Sequence, residues 1–341
     1  MKKIDFALNW STKVKENFIH FLKERCNEKE LSFLWVHEDN YKKVIKELES
    51  HQRAISVLLD TEATFNLPKD PYARVCYAVK DAGGMVINDP DRTKIAIDKS
   101  ATHFELVNAG ITTPYTVVVR NWEPANFKLT EKEKQMLGLP FVIKPALGFG
   151  QQGVVKEAQG SIREIACARH FDRGDNFLLQ EKIVPIQLNG RRAWFRVFNV
   201  FNTLVPCWWD DQQNHYEHIT FEEFNTHSLF PLVKIASKIS SLTKMTWFST
   251  EITIDKKNGK NRFVAIDYVN DQCDMSTLSE TSSGLPDYIV EYIAHRIVDS
   301  SQKLMRNEKS HKKYSIWLKD ATIELKGLAR PSALLKQVTT I

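Results

Sequence analysis

Phe141-Val142-Ile143-Lys144-Pro145-Ala146-Leu147-Gly148-Phe149-Gly150-Gln151-Gln152-Gly153-Val154-Val155-Lys156-Glu157-Ala158 is the most informative stretch of the chain. Two strand-like runs flank a glycine-rich turn, so a hairpin is expected. Lys144 stands among apolar residues, and lysine is almost never buried unpaired, so an anion or a carboxylate belongs beside it. Gly148, Gly150 and Gly153 permit backbone conformations closed to other residues and keep side chains away from the amides. A phosphate would answer both features. From the residues alone, so would a tight hairpin beside a partly exposed lysine. No Gly-Lys-Ser/Thr follows, which excludes a Walker A loop, and the GxGxxG match lacks the strand-to-helix context of a dinucleotide site.

Working outward, residues 1–97 read as a small α/β domain. Ile4 to Leu8, Leu31 to Val36 and Ala54 to Leu59 are strand candidates, alternating with helical patterns over Lys13 to Lys29, Tyr41 to Leu48 and Tyr72 to Ala82. That alternation favours a mostly parallel sheet. Ile87-Asn88-Asp89-Pro90 looks like a strand running into a turn, Lys99 to Ala109 is helical, and Tyr115 to Val119 turns to strand character. Residues 98–178 form a second segment around the glycine loop. A third, 179–300, is rich in strand signals: Leu179 to Ile183, Trp194 to Val200, Leu204 to Trp209, Thr246 to Ile254 and Arg262 to Val269, with helices over Phe230 to Leu242 and Pro286 to Val298. Residues 301–341 are expected to be a polar, helical extension docked through Ile323, Leu325, Leu328 and Leu334. The fold class expected is α/β in a multidomain, α+β arrangement.

An acidic constellation lies about a hundred residues after the loop. Glu251 sits in the strand Phe248 to Ile254, and Asp267 and Asn270 in the strand Val264 to Asn270. Antiparallel pairing through the hydrophilic turn 255–261 would bring Glu251 opposite the region of Asp267. Mg²⁺ is held by a few carboxylates together with substrate phosphates, which such a pair would suit. The residues also allow Asp267 to cap a strand end and Asn270-Asp271 to make a turn. Arg196, between Phe195 and Val197, reads either as a contact for a transferring phosphoryl group or as a strand-face ion-pair partner.

Composition narrows the class of protein. With 341 residues, 43% hydrophobic and 26% charged, the chain suits two or three globular domains. The formal charge of +5 comes from 47 basic and 42 acidic residues, and the basic ends are interrupted by acids, so no nucleic-acid partner is expected. Five scattered cysteines without a CxxC pair argue for a reducing compartment and against structural zinc. No apolar run reaches membrane-spanning length, and a cytoplasmic protein with no membrane partner is expected.

Taken in order, these features resemble the ATP-grasp superfamily over about residues 95–275, and more loosely its carboxylate-amine ligase and ribosomal-protein glutamate-ligase branches. The resemblance implies an ATP-grasp fold behind an N-terminal α/β domain. The stretch Ile97-Asp98-Lys99, followed by Ala109 to Pro114, looks like the segment supplying a first phosphate lysine, Lys99; Ile143-Lys144-Pro145 resembles the second lysine strand. Gly148 to Gly153, with Gln151, looks like the lid over the phosphates, and Gln180, Glu181 and Ile183 are similar to the hinge at the adenine. Arg196 matches the arginine at the transferred phosphoryl group, Glu251 and Asp267 the acidic metal ligands, and Asn270 the amide ligand. Two departures stand out: Asp267 and Asn270 are three residues apart where two is usual, and Gln151-Gln152 replace small hydroxyl residues.

The resemblance implies ATP and Mg²⁺ as cofactors. It also implies a ligase in which a small-molecule or peptide carboxylate is phosphorylated and then captured by an amine acceptor. The same nucleotide residues would serve a small-molecule kinase, or an ATP-binding regulatory or scaffold protein with little turnover. Trp208-Trp209 with Tyr216, His215 and His218 reads as a separate candidate recognition surface, and self-association into a homo-oligomer is left open by the sequence.

Overall fold

The computed structural model describes residues 1–11, 16–67, 69–307, 314–325 and 338–340. Its contacts gather into two compact units that share the chain in alternation. Unit 1 takes Met1–Lys94, Trp194–Thr250 and Asn270–Ile341, and unit 2 takes Ile95–Ala193 and Glu251–Val269.

In chain order, the first piece holds β1 (Lys2–Asn9), α1 (Asn17–Glu28), β2 (Phe33–Val36), α2 (Tyr41–Glu49), β3 (Arg53–Asp60), α3 (Pro71–Asp81), β4 (Met85–Ile87) and α4 (Pro90–Ala96). Next come α5 (Lys99–Asn108), β5 (Thr116–Val119), α6 (Glu131–Leu137), β6 (Phe141–Pro145), β7 (Val155–Ala158), α7 (Ile162–Arg169), β8 (Phe177–Glu181), β9 (Gln187–Leu188) and β10 (Arg191–Arg192). The chain continues through β11 (Trp194–Val200), β12 (Thr203–Asp210), β13 (His215–His218), α8 (Phe221–Thr226), α9 (Phe230–Thr243), β14 (Trp247–Lys257) and β15 (Lys260–Asn270). It closes with α10 (Asp287–Met305), β16 (Ser315–Trp317), β17 (Ala321–Glu324) and β18 (Val338–Thr340).

Unit 1 contains the parallel sheet β2-β1-β3-β4 anticipated from strand-helix alternation. Leu58 and Leu59, adjacent on β3, are both buried, as a strand covered on both faces requires. Asp70 caps α3 by accepting from Ala73 N at 2.8 Å, with Pro71 in the first turn. The helix anticipated from Lys13 is present from Asn17 onward, while Lys13 and Val14 lie outside the described residues. At the end of β4, Pro90 opens α4 rather than leaving a turn, since its missing N–H costs nothing at a helix start.

One face of this parallel sheet does not close on its own helices. Phe6, Leu8, Phe18 and Leu22 join Phe198, Val200, Trp247, Ile293, Ile297 and Trp317 in one buried cluster. Arg25 on α1 makes a two-point ion pair with Asp299 on α10, at 2.8 and 3.0 Å. Strand β12 pairs antiparallel with β11 and β13 and parallel with β16; β17 and β18 follow β16. The first residues of β14 continue the sheet beside β11, where Phe201 N donates to Thr246 O at 2.8 Å.

The helical extension expected over 301–341 is corrected. Beyond the end of α10, the described residues there form β16, β17 and β18. The runs Ser315-Ile316-Trp317 and Ala321-Thr322-Ile323 carry β-branched and aromatic residues in register, Ile316 opposite Ile323, and bury both isoleucines. Ile323 and Leu325 do dock, at 3% and 4% exposed, whereas Leu328 and Leu334 lie outside the described residues.

Unit 2 is built on the antiparallel sheet β5-β8-β6-β7. Phe141, Ile143, Phe177 and Leu179 pack with Leu137 of α6 and Ile165 of α7 on one face. The unit also holds most of the β14-β15 hairpin, whose two-residue turn Asn258-Gly259 has φ of 52° and 77°, the left-handed pair a right-twisted hairpin needs. Phe141 fills the centre of the unit 2 core, so Phe141→Ala should cost about 3–5 kcal/mol. A loss below about 1 kcal/mol in urea denaturation would contradict that packing.

Candidate functional site

Strand β6 alternates cleanly. Phe141, Ile143 and Pro145 are buried, while Val142 and Lys144 take the other face with partial exposure. There the Lys144 ammonium donates to Ile266 O at 3.1 Å and lies 5.8 Å from the centroid of the Tyr268 ring. Burial pushes Lys144 down to about 8; Asp267 opposes the shift, Lys99 adds to it, and Glu251 opposes it. These four charges therefore share one neighbourhood. An ammonium has three donors, one of which is used here, and among the described residues no carboxylate comes within ion-pair distance of Lys144. Its charge is under-compensated, which favours an incoming anion.

Lys99 opens α5 directly after Asp98, whose carboxylate caps the helix by accepting from Ser100 N at 2.8 Å and Ala101 N at 3.2 Å. That cap sets the lysine's direction. Its ammonium donates to Gly148 O at 2.8 Å and stands 3.9 Å from Asp267 Oδ1.

The glycine loop is pinned at its start, and further along Gln152 N donates to Phe149 O at 3.1 Å and Val154 N to Gln151 O at 3.3 Å. Ala146 N donates to Asn176 O and Leu147 N to the Asp175 carboxylate, both at 2.8 Å; burial pushes that carboxyl up to about 6. A Cβ on Gly148 would fall 2.3 Å from Pro145 Cγ, and one on Gly153, at φ +70°, 2.5 Å from the Phe171 ring. Gly150 and Gln151 also adopt left-handed φ, 58° and 60°, so a glutamine holds a position that favours glycine. Among the described residues the amides of Gly148, Phe149, Gly150, Gln151 and Gly153 have no hydrogen-bond partner. Such a run of free amides suits anionic oxygens.

At the expected hinge the side chains are already committed. Gln180 donates to Thr116 Oγ1 at 2.9 Å and to the Tyr268 hydroxyl at 3.0 Å. Glu181 accepts from Lys257 at 2.7 Å and from Arg262 at 3.2 Å, and Arg262 also grips Asp255. What the segment leaves open is backbone: among the described residues the N–H and C=O of Lys182, Ile183 and Val184 have no hydrogen-bond partner, and Ile183 is buried at 9% exposed. The sequence offers no usable spacing signal at His103 and does not single out Tyr268. Their side chains meet at 2.7 Å across 165 residues, and burial pushes His103 down to about 4. No local spacing signals such a pair.

Glu251 and Asp267 lie on the β14-β15 hairpin within unit 2. Among the described residues no group of three or more His, Cys, Asp or Glu side chains is placed to hold a metal ion. The two carboxylates fit Mg²⁺ only in company with phosphate oxygens, the way that ion is ordinarily held.

Arg196 and Asn270 belong to unit 1. Arg196 lies opposite Cys207 in the β11-β12 ladder, with its guanidinium 5.0 Å from the Trp209 ring centroid, and Trp209 stacks on Tyr216 at 4.2 Å. Trp208, on the other face, is buried against Phe195. His218 is buried too and bonds Trp317 O at 3.1 Å, so it is not one of an exposed histidine pair. Asn270 ends β15 and is half-buried.

No protein-family model and no curated protein matches the sequence. Solved structures do match. A RimK domain ATP-grasp protein from Sphaerobacter thermophilus is 15% identical, with 87% of this chain covering 99% of that one at a TM-score of 0.56. D-alanine–D-alanine ligase from Bacillus anthracis, complexed with ATP, is 14% identical, with coverages of 91% and 100% and a TM-score of 0.58. This chain has the ATP-grasp fold. The macrocyclase MdnC from Microcystis aeruginosa, bound with its precursor peptide MdnA, has the same fold at 12% identity, coverages of 86% and 99%, and a TM-score of 0.52.

Among the described residues no helix is long and apolar enough to cross a membrane. The under-compensated lysine gives a stability test. A base with a depressed folded-state value destabilises the fold fully below that value, and the penalty fades as pH rises toward its unfolded value near 10.5. Lys144→Met should therefore raise stability at pH 7 by about 1–2 kcal/mol after solvent screening. In thermal melts across pH the gap should close between about 8 and 10.5; a variant less stable than the parent at pH 7 would contradict the argument.

Proposed function

We propose that this protein is an ATP-dependent carboxylate-amine ligase using Mg²⁺. The observation that carries the reading is the grouping of Lys99, Lys144, Glu251 and Asp267 beside a loop of unpartnered amides. The fold shared with D-alanine–D-alanine ligase complexed with ATP and with a peptide macrocyclase supports it. Segments 98–178 and 179–300 would supply the nucleotide lid and the metal carboxylates, behind the α/β segment 1–97.

In this reading the amides of Gly148, Phe149, Gly150, Gln151 and Gly153 and the two lysine ammonium groups bind the triphosphate, and the free peptide groups after Glu181, walled by Ile183, meet the adenine. Magnesium, held by Glu251, Asp267 and phosphate oxygens with Asn270 as the further ligand, would offset charge on the phosphates. The substrate is a small-molecule or peptide carboxylate. Its oxygen attacks the γ-phosphorus, the bond to ADP breaks, and an acylphosphate results. An unprotonated amine then attacks the acyl carbon, inorganic phosphate leaves, and the surplus amine proton is released as the amide forms. Lys144 and Arg196 steady the phosphoryl oxygens, and closure of the loop keeps water from the acylphosphate.

Calorimetry with a non-hydrolysable ATP analogue, with and without Mg²⁺, tests the binding half. Lys144→Ala should lose at least about tenfold in affinity, roughly 1.4 kcal/mol. Asp267→Asn should keep binding but lose Mg²⁺-dependent turnover. Product analysis over panels of carboxylates and amines tests the chemistry: free phosphate and an amide are expected only when both acceptors are present. A phosphorylated acceptor formed without amine would make the protein a kinase, and tight binding without turnover would make it a regulatory ATP-binding protein.

A further inference from the structure

Tyr268 sits at the crossing of the site's main elements. It is 1% exposed, and its hydroxyl is engaged from two sides: Gln180 Nε2 at 3.0 Å and His103 Nδ1 at 2.7 Å. The Gln180 amide nitrogen can only donate, which leaves the hydroxyl's own proton for Nδ1 in the tautomer that carries the imidazole hydrogen on Nε2. Gln180 is fixed in turn by Thr116 Oγ1 at 2.9 Å, and the Tyr268 ring stacks on His103 at 5.9 Å with 29° between planes. One phenol thus ties α5, β8 and β15 together.

The ring so fixed bounds the Lys144 ammonium, 5.8 Å from its centroid and within cation–π range. Ile266 O accepts from the same ammonium at 3.1 Å, and Asp267, between these two residues, faces Lys99 at 3.9 Å. Three consecutive residues of β15 therefore handle both lysines. The Gln180 side chain, expected at the base, is spent on Tyr268.

We propose that Tyr268 is a positioning residue. Its hydroxyl, clamped by Gln180 and His103, holds the ring that confines the Lys144 ammonium and so aims the two remaining donors at a polyphosphate. The inference rests on the nucleotide reading above and adds the buried group that sets the lysine's direction.

The test compares two ligands on the full chain. Tyr268→Phe keeps the ring and removes the clamp. Its affinity for the ATP analogue AMP-PNP with Mg²⁺ should fall about tenfold, while that for adenosine, which has no phosphate for Lys144 to meet, should stay within about twofold. His103→Phe retains an aromatic stack but offers no acceptor, and should show the same selective loss at about threefold; it carries the test should the first variant not fold. Equal losses for both ligands would mean that the phenol merely holds the fold, which overturns the proposal. Unchanged AMP-PNP binding in the variants, against a parent that binds, overturns it as well. A parent that binds neither ligand overturns the nucleotide reading itself, and this inference with it.

Discussion

The site depends on one half-compensated charge. Lys144 is carried on β6, a strand between β8 and β7 whose other face is locked into the unit 2 core by Phe141 and Ile143. The strand cannot rotate the lysine away without exposing those residues, so the ammonium stays against Ile266 O and the Tyr268 ring. A lysine held in this way without an ion-pair partner is unfavourable. The same feature suits it to receive an anion, because part of the desolvation is met by the fold itself.

Rigid and adaptable parts are divided accordingly. Charged side chains sit on α5, β6 and the β14-β15 hairpin, while the loop 148–153 contributes only backbone amides. Elements of regular structure hold charges to a narrow geometry, and a loop tied down at Ala146 and Leu147 keeps freedom further along. At the end of β8, Gln180 and Glu181 act as struts, tied to Tyr268 and to Lys257 and Arg262.

Much of this was legible from local pattern. The alternation around Lys144, the glycine loop and the β14-β15 hairpin each follow from side-chain period and turn chemistry. The buried runs of the parallel sheet do as well. What escaped depends on long-range contact. The His103–Tyr268 pair spans 165 residues. The short strands β16 and β17 gain stability from β12 rather than from their own propensity. Along β15 burial comes in pairs: Val264 and Ala265 are buried, Ile266 and Asp267 half-exposed, Tyr268 and Val269 buried. Counting residues along that strand is therefore no guide to which face Asn270 presents.

The alternation of the two units along the chain bears on biosynthesis. The cluster around Phe6 and Leu8 also needs Trp247, Ile293 and Trp317. A ribosome must deliver nearly the whole polypeptide before that interior can close, whereas most of unit 2 emerges as the continuous segment Ile95–Ala193. The nascent N-terminal sheet waits with one greasy face uncovered, so chaperone occupancy during translation should concentrate on the first hundred residues.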